Sequence, residues 1–96
     1  MFDEEFEWDD AKARANLIKH GVSFVTAIAA FFDERAVLGS DDSMDYGEPR
    51  YWIIGKAEAK LLFVIYTERL GRTRIISARL ATRKDHGHYQ SENQQR

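Results

Sequence analysis

Residues 50–80 have the sequence RYWIIGKAEAKLLFVIYTERLGRTRIISARL, and this stretch decides the fold. It contains three segments rich in aromatic and β-branched residues, at 50–56, 61–67 and 73–79, which is the composition of β-strands. The middle segment is almost continuously apolar, as expected of a strand that is buried on both faces. Because the links between the segments are short, the stretch predicts an antiparallel meander.

A first helix is predicted upstream of the meander. Asp9 and Asp10 suit a helix N-terminus, where free N–H groups and the helix dipole favour carboxylates. Gly21 suits the residue after its last turn, because glycine adopts the left-handed conformation there without strain. The apolar residues of this helix with helical spacing, which are expected to face the core, are Ala11, Ala15 and Ile18.

Two further helices are indicated by their caps. Ser23 is expected to cap the start of the second helix. Thr82, with Asp85 three residues later, is expected to cap the start of a C-terminal helix. The second helix has an apolar side made of Phe24, Ile28, Phe31 and Phe32. Short strands are expected within 2–8 and 36–38, and an exposed loop at 39–49.

The order of these elements predicts the fold class. It is an α+β domain with an antiparallel sheet of about four strands, two N-terminal helices and a C-terminal helix. The helices are expected on one face of the sheet, which leaves the other face open. A single domain is expected over residues 1–90, followed by a polar tail at 91–96.

The charges are distributed unevenly although the net charge is only -2. Residues 1–49 contain 12 acidic and 4 basic side chains, whereas residues 50–84 contain 2 acidic and 9 basic ones. Phosphate binding requires a local positive potential rather than a basic total, so the second half could bind a nucleic acid. The alternative is an ordinary solvated sheet face.

Several classes of protein are disfavoured. The chain has no cysteine, which excludes disulfides, thiolate zinc sites and cysteine nucleophiles. His86 and His88 are two residues apart and do not share a helix face, and the acidic cluster at 41–45 lacks the spacing of a calcium loop. We therefore expect no metal and no other cofactor. The acidic N-terminus does not resemble a signal peptide, and the apolar runs are far shorter than the roughly 20 residues that cross a bilayer, so we expect a cytoplasmic protein that does not contact a membrane.

Four segments of the chain, in order and spanning residues 6 to 89, resemble the BrnT family of bacterial type II toxins. The segments are Phe6-Glu7-Trp8-Asp9 with Lys12 and Asn16; Lys19-His20-Gly21-Val22-Ser23-Phe24 with Ala27; Tyr66-Thr67-Glu68-Arg69; and Arg74-Ile75-Ile76-Ser77-Ala78-Arg79 with Ala81 and Tyr89. The resemblance departs at Thr26 and Asp85, where the family often has glutamate.

This resemblance implies a RelE-like microbial-ribonuclease sheet and RNA cleavage that inhibits translation and growth. It also implies a BrnA-like ribbon-helix-helix antitoxin that neutralises the toxin. Through that antitoxin alone, the toxin would contact operator DNA and regulate its own operon.

The candidate site residues follow from the chemistry that metal-free RNA cleavage needs, which is a base, an acid and a cation for the phosphorane. The catalytic candidates are His20, Arg69 and Arg79, and the candidates for RNA contact are Lys19, Arg50, Arg74 and Tyr89. Strict alternation along 73–79 predicts that Arg79, Ser77 and Thr73 share one strand face and that Arg74 lies on the other.

Structural explanations compete with these assignments. A basic residue in a last helical turn, such as Lys19 or His20, stabilises the helix dipole. Tyr89 could pack in the core, Arg50 could be a surface residue, and His86 and His88 are expected on a solvated helix surface. The competing function is a non-catalytic RNA-binding or co-repressor module that acts only through a DNA-binding partner. A titrating group beside the arginines would favour the enzyme, because a binding module needs only charge.

Overall fold

The computed structural model describes residues 5–42 and 47–94 of the chain. Five strands form one sheet in the order β1-β5-β4-β3-β2. Their bounds are β1 Phe6–Glu7, β2 Val37–Ser40, β3 Tyr51–Ala57, β4 Lys60–Arg69 and β5 Arg72–Leu80. The meander β3-β4-β5 is antiparallel as predicted, and β2 extends it antiparallel to β3. The first strand, β1, is the exception, because it pairs parallel with β5.

Within the described part of the chain, three α-helices accompany the sheet, which confirms the α+β class. Their bounds are α1 Asp10–His20, α2 Phe24–Ile28 and α3 Arg83–Asn93, and a short 3₁₀ helix, Ala29–Phe32, continues α2. The predicted caps are present: the side chains of Asp9, Ser23 and Thr82 each accept a backbone N–H, and Gly21 has a φ of 71°. In residues 5–42 and 47–94, no single helix is long and apolar enough to cross a membrane. The helical segments 10–20 and 24–32 would together be long and apolar enough, but the chain bends by 94° between them.

The core-facing side of α1 differs from the prediction. Ala11, Ala15 and Ile18 face solvent, and Ile18 is 87% exposed. The buried residue is Asn16, whose side-chain amide donates to the carbonyl oxygens of Val22 and Ala78 and accepts from the N–H of Ala78. Beyond the end of β1, the edge of β5 would otherwise have unpaired backbone groups, and Asn16 satisfies them. The helix is therefore oriented by hydrogen bonds rather than by its apolar stripe.

The second helix packs mainly through small residues. Ala27 and Ala30 are fully buried. Gly55 on β3 lies so close to the backbone carbonyl of Ala30 that there is no space for a side chain at position 55. Phe24 is buried as predicted, but Phe32 is 63% exposed because the chain tightens into the 3₁₀ helix and rotates it outward.

A β-bulge in β5 changes which side chains share a face. Ile65 on β4 pairs with Ser77, but the next residue, Tyr66, pairs with Ile75, so Ile76 has no cross-strand partner. The alternation of side chains therefore shifts by one residue at this point. As a result, Arg74 lies on the same face as Ser77 and Arg79, and Thr73 lies on the opposite face, which reverses the prediction for both.

Helix α3 covers one end of the sheet face that α1 and α2 leave open. Its Tyr89 is buried against Ile54 and Leu61, and its hydroxyl donates to Asp33 at 2.7 Å. The same Asp33 oxygen accepts from the backbone N–H of Lys56. The helices thus lie on both faces of the sheet, not on one face as expected, and α3 leaves the rest of its face uncovered.

Candidate functional site

The open face of the sheet is the face opposite α1 and α2. Pairing and alternation assign to it the side chains of Trp52 and Ile54 on β3, Phe63, Ile65, Thr67 and Arg69 on β4, and Arg72, Arg74, Ser77 and Arg79 on β5. It combines apolar and aromatic side chains in the middle with arginines at both ends. The predicted open face with arginines is therefore present.

Next to α3, the open face forms a cleft of 420 Å³. The rings of Trp52 and Phe63 lie nearly parallel, with an interplanar angle of 16° and centroids 6.0 Å apart. The imidazole of His88 lies 5.4 Å from Trp52, and the guanidinium carbon of Arg79 lies 4.2 Å above the Phe63 ring. We call this the aromatic cleft, and its lining residues are Trp52, Ile54, Phe63, Arg79, Thr82, Lys84, Asp85 and His88.

The guanidinium of Arg79 is held in place from two sides. Its Nη1 atom donates to Asp85 at 2.8 Å and to the carbonyl of Leu80 at 3.1 Å, while Phe63 supports it from below. Asp85 is fixed in turn, because its carboxylate accepts from the backbone N–H of Thr82 in a capping box. Within the described residues, no hydrogen bond engages Nε or Nη2 of Arg79, which are free to bind an anion from the cleft.

The carboxyl group of Asp85 is ionised over a wide pH range. Burial opposes its ionisation, but the hydrogen bonds from Thr82 and Arg79 outweigh that effect and lower the pKa of Asp85 below its usual value. The Arg79–Asp85 pair therefore stays intact at neutral pH, and an ion pair with one partner this buried also fixes the geometry of the arginine.

Helix α3 contributes two residues that sequence reasoning missed. His88 is exposed, as expected of a solvated helix surface, but it also lines the aromatic cleft, as does Lys84, to which no site role was assigned. The spacing gives only part of the signal: Asp85 and Tyr89, at i and i+4, form the buried side of α3, and Lys84 and His88 precede each of them by one residue, but the spacing does not indicate what that side packs against. The side chain of His88 lies 4.0 Å from Glu92 in the next turn.

His20 lies away from Arg79. It lines a separate cavity of 140 Å³ together with Thr26, Lys60 and Leu80. Leu80 and Arg79 are neighbours in β5 and point to opposite faces of the sheet, so His20 is on the helical side and Arg79 on the open side. The sheet separates these two candidates. Lys19, beside His20, is exposed near the end of α1 and does not line the cleft.

Arg69 and Arg74 lie at the other end of the open face. On β4, the partners of Arg79 and Arg74 are Phe63 and Thr67, four residues apart. At about 3.4 Å per residue, Arg74 is roughly 14 Å from the aromatic cleft, and the Arg69–Arg72 pair roughly 20 Å from it. Strand pairing therefore does not bring Arg69 and Arg79 into one compact site.

These distant arginines are paired with two glutamates. Glu7 lies 3.2 Å from Arg72 and 3.0 Å from Arg74. Glu48 lies 3.2 Å from Arg69 and 4.0 Å from Arg50. We call the four residues Arg50, Arg69, Arg72 and Arg74 the arginine cluster.

The remaining candidates divide between core and surface. Tyr89 is 8% exposed and its hydroxyl is bonded to Asp33, so its position fits the packing explanation rather than RNA contact. No group of three or more His, Cys, Asp or Glu side chains in residues 5–42 and 47–94 is arranged to hold a metal ion.

Together, the α+β fold and the aromatic cleft define a small domain equipped for an anionic ligand that contains flat rings. The sequence model of the ribonuclease toxin BrnT, of type II toxin-antitoxin systems, matches residues 8–85. The chain therefore belongs to the BrnT family of ribonuclease toxins. No curated protein gave a significant match.

Proposed function

We propose that this ribonuclease toxin binds and cleaves RNA in the aromatic cleft. The observation that carries the proposal is the position of Arg79, which Asp85 and Phe63 hold in the wall of a cleft that His88 also lines. A guanidinium matches the oxygens of a phosphate and remains charged at any physiological pH. Stacked aromatic rings next to it suit the bases of a single strand.

The proposed reaction is an attack of the ribose 2′-hydroxyl on the adjacent phosphorus. A base removes the 2′ proton, the new P–O bond forms, the bond to the 5′ oxygen breaks, and an acid protonates that leaving oxygen. Arg79 and Lys84 stabilise the charge that develops on the phosphorane oxygens. His88 is the proposed acid–base group of the cleft, because an imidazole is the side chain that enzymes use most often for proton transfer.

This assignment revises the sequence-based one. Arg79 keeps its catalytic role, whereas His88 replaces His20, which the sheet separates from the cleft. Arg69 changes from a catalytic candidate to an RNA contact at a distance from the reacting phosphate, and Arg74 keeps its assignment as an RNA contact. Lys19 and Tyr89 have no role in the proposed chemistry.

The direct test compares Arg79→Ala and His88→Ala with the wild-type protein in an RNA cleavage assay. We expect Arg79→Ala to slow cleavage about 10²- to 10³-fold, since it removes one preorganised charge stabiliser. We expect His88→Ala to slow it about 10²- to 10⁴-fold, since it removes the proposed acid–base group. His86→Ala is the matched control, because His86 is exposed on the same helix and does not line the cleft.

Melting curves must show that each variant is folded. Full activity of folded Arg79→Ala, or equal effects of His86→Ala and His88→Ala, would show that the reaction occurs elsewhere on the molecule.

A second prediction concerns metal ions. Because the proposed proton transfers and charge stabilisation come entirely from side chains, cleavage should proceed at an unchanged rate in EDTA. The measurement is the initial cleavage rate with EDTA and after adding back magnesium or manganese. A rate that collapses in EDTA and recovers with either metal would contradict the proposed chemistry.

The alternative is a non-catalytic RNA-binding or co-repressor module. The arginines of the open face would serve such a module equally well, but it would have no use for a histidine in the cleft. Binding that depends on salt without any cleavage of the bound RNA would favour the module.

The cellular setting of the proposal follows from the family, which implies an antitoxin partner. We propose that the partner is a ribbon-helix-helix protein, that the two together repress their own operon, and that the toxin acts in the cytoplasm where its RNA substrates are translated. Expression of the chain alone should then arrest growth, and coexpression with the antitoxin should restore it. Normal growth at confirmed expression of folded protein would count against a toxic activity.

A further inference from the structure

In the arginine cluster, each of the two glutamate carboxylates is shared by two guanidinium groups. Glu7 contacts Arg72 and Arg74, and Glu48 contacts Arg69 and Arg50. The side chains of Arg69 and Arg72 are 49% and 40% exposed, so an anion can approach them from solvent. This end of the open face therefore presents solvent-accessible guanidinium groups whose carboxylate partners are shared.

The bulge at Ile76 connects this cluster to the aromatic cleft. Without it, strict alternation would place Arg74 and Arg72 on the helical side of the sheet, under α1 and α2. With it, the row Arg79, Ser77, Arg74 and Arg72 runs along one face of β5. The open face thus offers cations at both ends and Ile65 and Ser77 between them, over a length of roughly 20 Å.

Glu7 shows how the cluster holds an anion. One of its carboxylate oxygens accepts from Nε of Arg72 and the other from Nη1 of Arg74. The hydrogen bond from Arg74 lowers the pKa of Glu7, against the opposing effect of burial, so this carboxylate is an anion at neutral pH. A phosphodiester has the same charge and likewise presents two oxygens, and its geometry also suits guanidinium forks.

We propose that the arginine cluster is a second RNA site, which binds phosphodiesters several nucleotides from the scissile bond, and that Glu7 and Glu48 are internal competitors for it. This inference rests on the proposed function, because it assigns a strand of RNA to the same face. It implies that RNA long enough to reach both ends binds more tightly than RNA that fills only the cleft. It also implies that the two glutamates weaken RNA binding.

The experiment measures binding rather than cleavage, using fluorescently labelled 2′-O-methyl RNA, which lacks the attacking hydroxyl. Two lengths are compared, about three nucleotides for the cleft and about ten for the whole face, within the range of sites for single strands. The variants are the double substitution Arg72→Gln with Arg74→Gln, and Glu7→Gln alone. Arg14→Gln, which removes an exposed arginine from α1 on the helical side, is the control.

We expect the double variant to bind the long RNA about tenfold more weakly, since hydrogen bonds to charged groups are lost, and the short RNA with unchanged affinity. The slope of log affinity against log salt for the long RNA should become less steep by about 1.4, at about 0.7 per lost phosphate contact on a single strand. Glu7→Gln should bind the long RNA more tightly than wild type, and Arg14→Gln should match wild type.

Equal losses for the short and long RNA, or no loss in a folded double variant, would overturn the proposal. If the double variant does not fold, Glu7→Gln decides alone, because it leaves both arginines in place: tighter binding supports the second site, and unchanged or weaker binding refutes it. Failure of the proposed function is distinguishable, since it would appear as wild-type protein that binds ordinary RNA and does not cleave it.

Discussion

Asp85 has two tasks at the start of α3, as a partner of Arg79 and as part of the capping box with Thr82. Its lowered pKa means that its charge stabilises the folded state. That contribution is fully present above the ordinary aspartate pKa of about 3.9 and is lost as the pH falls through the lower folded-state value.

Asp85→Asn should therefore lower the free energy of unfolding by about 1–3 kcal/mol at pH 7, since asparagine retains the shape but leaves Arg79 without its counter-charge. The difference from wild type should shrink as the pH falls below the ordinary aspartate pKa and through the lower folded-state value, because wild-type Asp85 then becomes protonated as well. Urea unfolding at pH 7 and at a series of acidic pH values measures it. Asp42→Asn, which replaces an exposed carboxylate after β2, is the control and should change the free energy of unfolding little. Equal stability of Asp85→Asn and wild type at pH 7 would contradict this account.

At the scale of elements, two glycines provide opposite tests of packing. A Cβ on Gly55 would clash with the carbonyl oxygen of Ala30, so Gly55→Ala forces β3 and the 3₁₀ helix apart. We expect a loss of about 1–3 kcal/mol of stability. A Cβ on Gly87, within α3, would meet nothing within 4 Å, so Gly87→Ala should gain about 1 kcal/mol through helix propensity.

Thermal melting of both variants tests the prediction, because the melting temperature should fall for Gly55→Ala and rise for Gly87→Ala. A Gly55→Ala protein as stable as wild type would mean that the backbones of β3 and the 3₁₀ helix do not approach as closely as described.

Elements with local causes could be predicted from the sequence, and those with distant causes could not. The caps at Asp9, Ser23 and Thr82 depend on residues at most three positions away, and all three are confirmed. The orientation of α1 depends on Asn16, whose partner Ala78 is 62 residues away, so helical periodicity pointed to the wrong side.

The candidate site residues likewise include some that could be predicted from the sequence and some that could not. Arg79 could be chosen from charge and from the family resemblance, because both are properties of the sequence. The inclusion of His88 could not, because it requires knowing that α3 lies across the end of β3 and β4. The bulge at Ile76 is likewise a product of pairing with β4, and no local pattern in 73–79 indicates it.

At the scale of the whole molecule, the fold brings the acidic first half of the chain against the basic second half. Glu7 from β1 and Glu48 from the β2–β3 connection both lie on arginines of the later strands. The open face nevertheless remains cationic, whereas the helical layer exposes apolar residues, among them Leu17, Ile18 and Val25. The molecule therefore has two different surfaces on which an antitoxin could bind.

We predict that the antitoxin covers the open face and brings acidic groups to it. Charge complementarity would speed association and make it sensitive to salt, and the partly exposed Trp52 would supply an apolar anchor. Hydrogen exchange of the toxin with and without its partner should show protection within residues 50–80. Protection restricted to residues 10–32 would instead assign the antitoxin to the exposed apolar residues of the helices.

The order of the cleft residues along the chain has a consequence for when toxicity begins. Trp52 and Phe63 belong to the central strands, but Lys84 and His88 belong to α3, which the ribosome makes after every strand. A nascent chain can therefore pair its sheet before it has the residues that complete the cleft. If RNA is cleaved in this cleft, as proposed, the ribosome that synthesises the toxin meets a complete site only after α3 has emerged and folded across the end of the sheet.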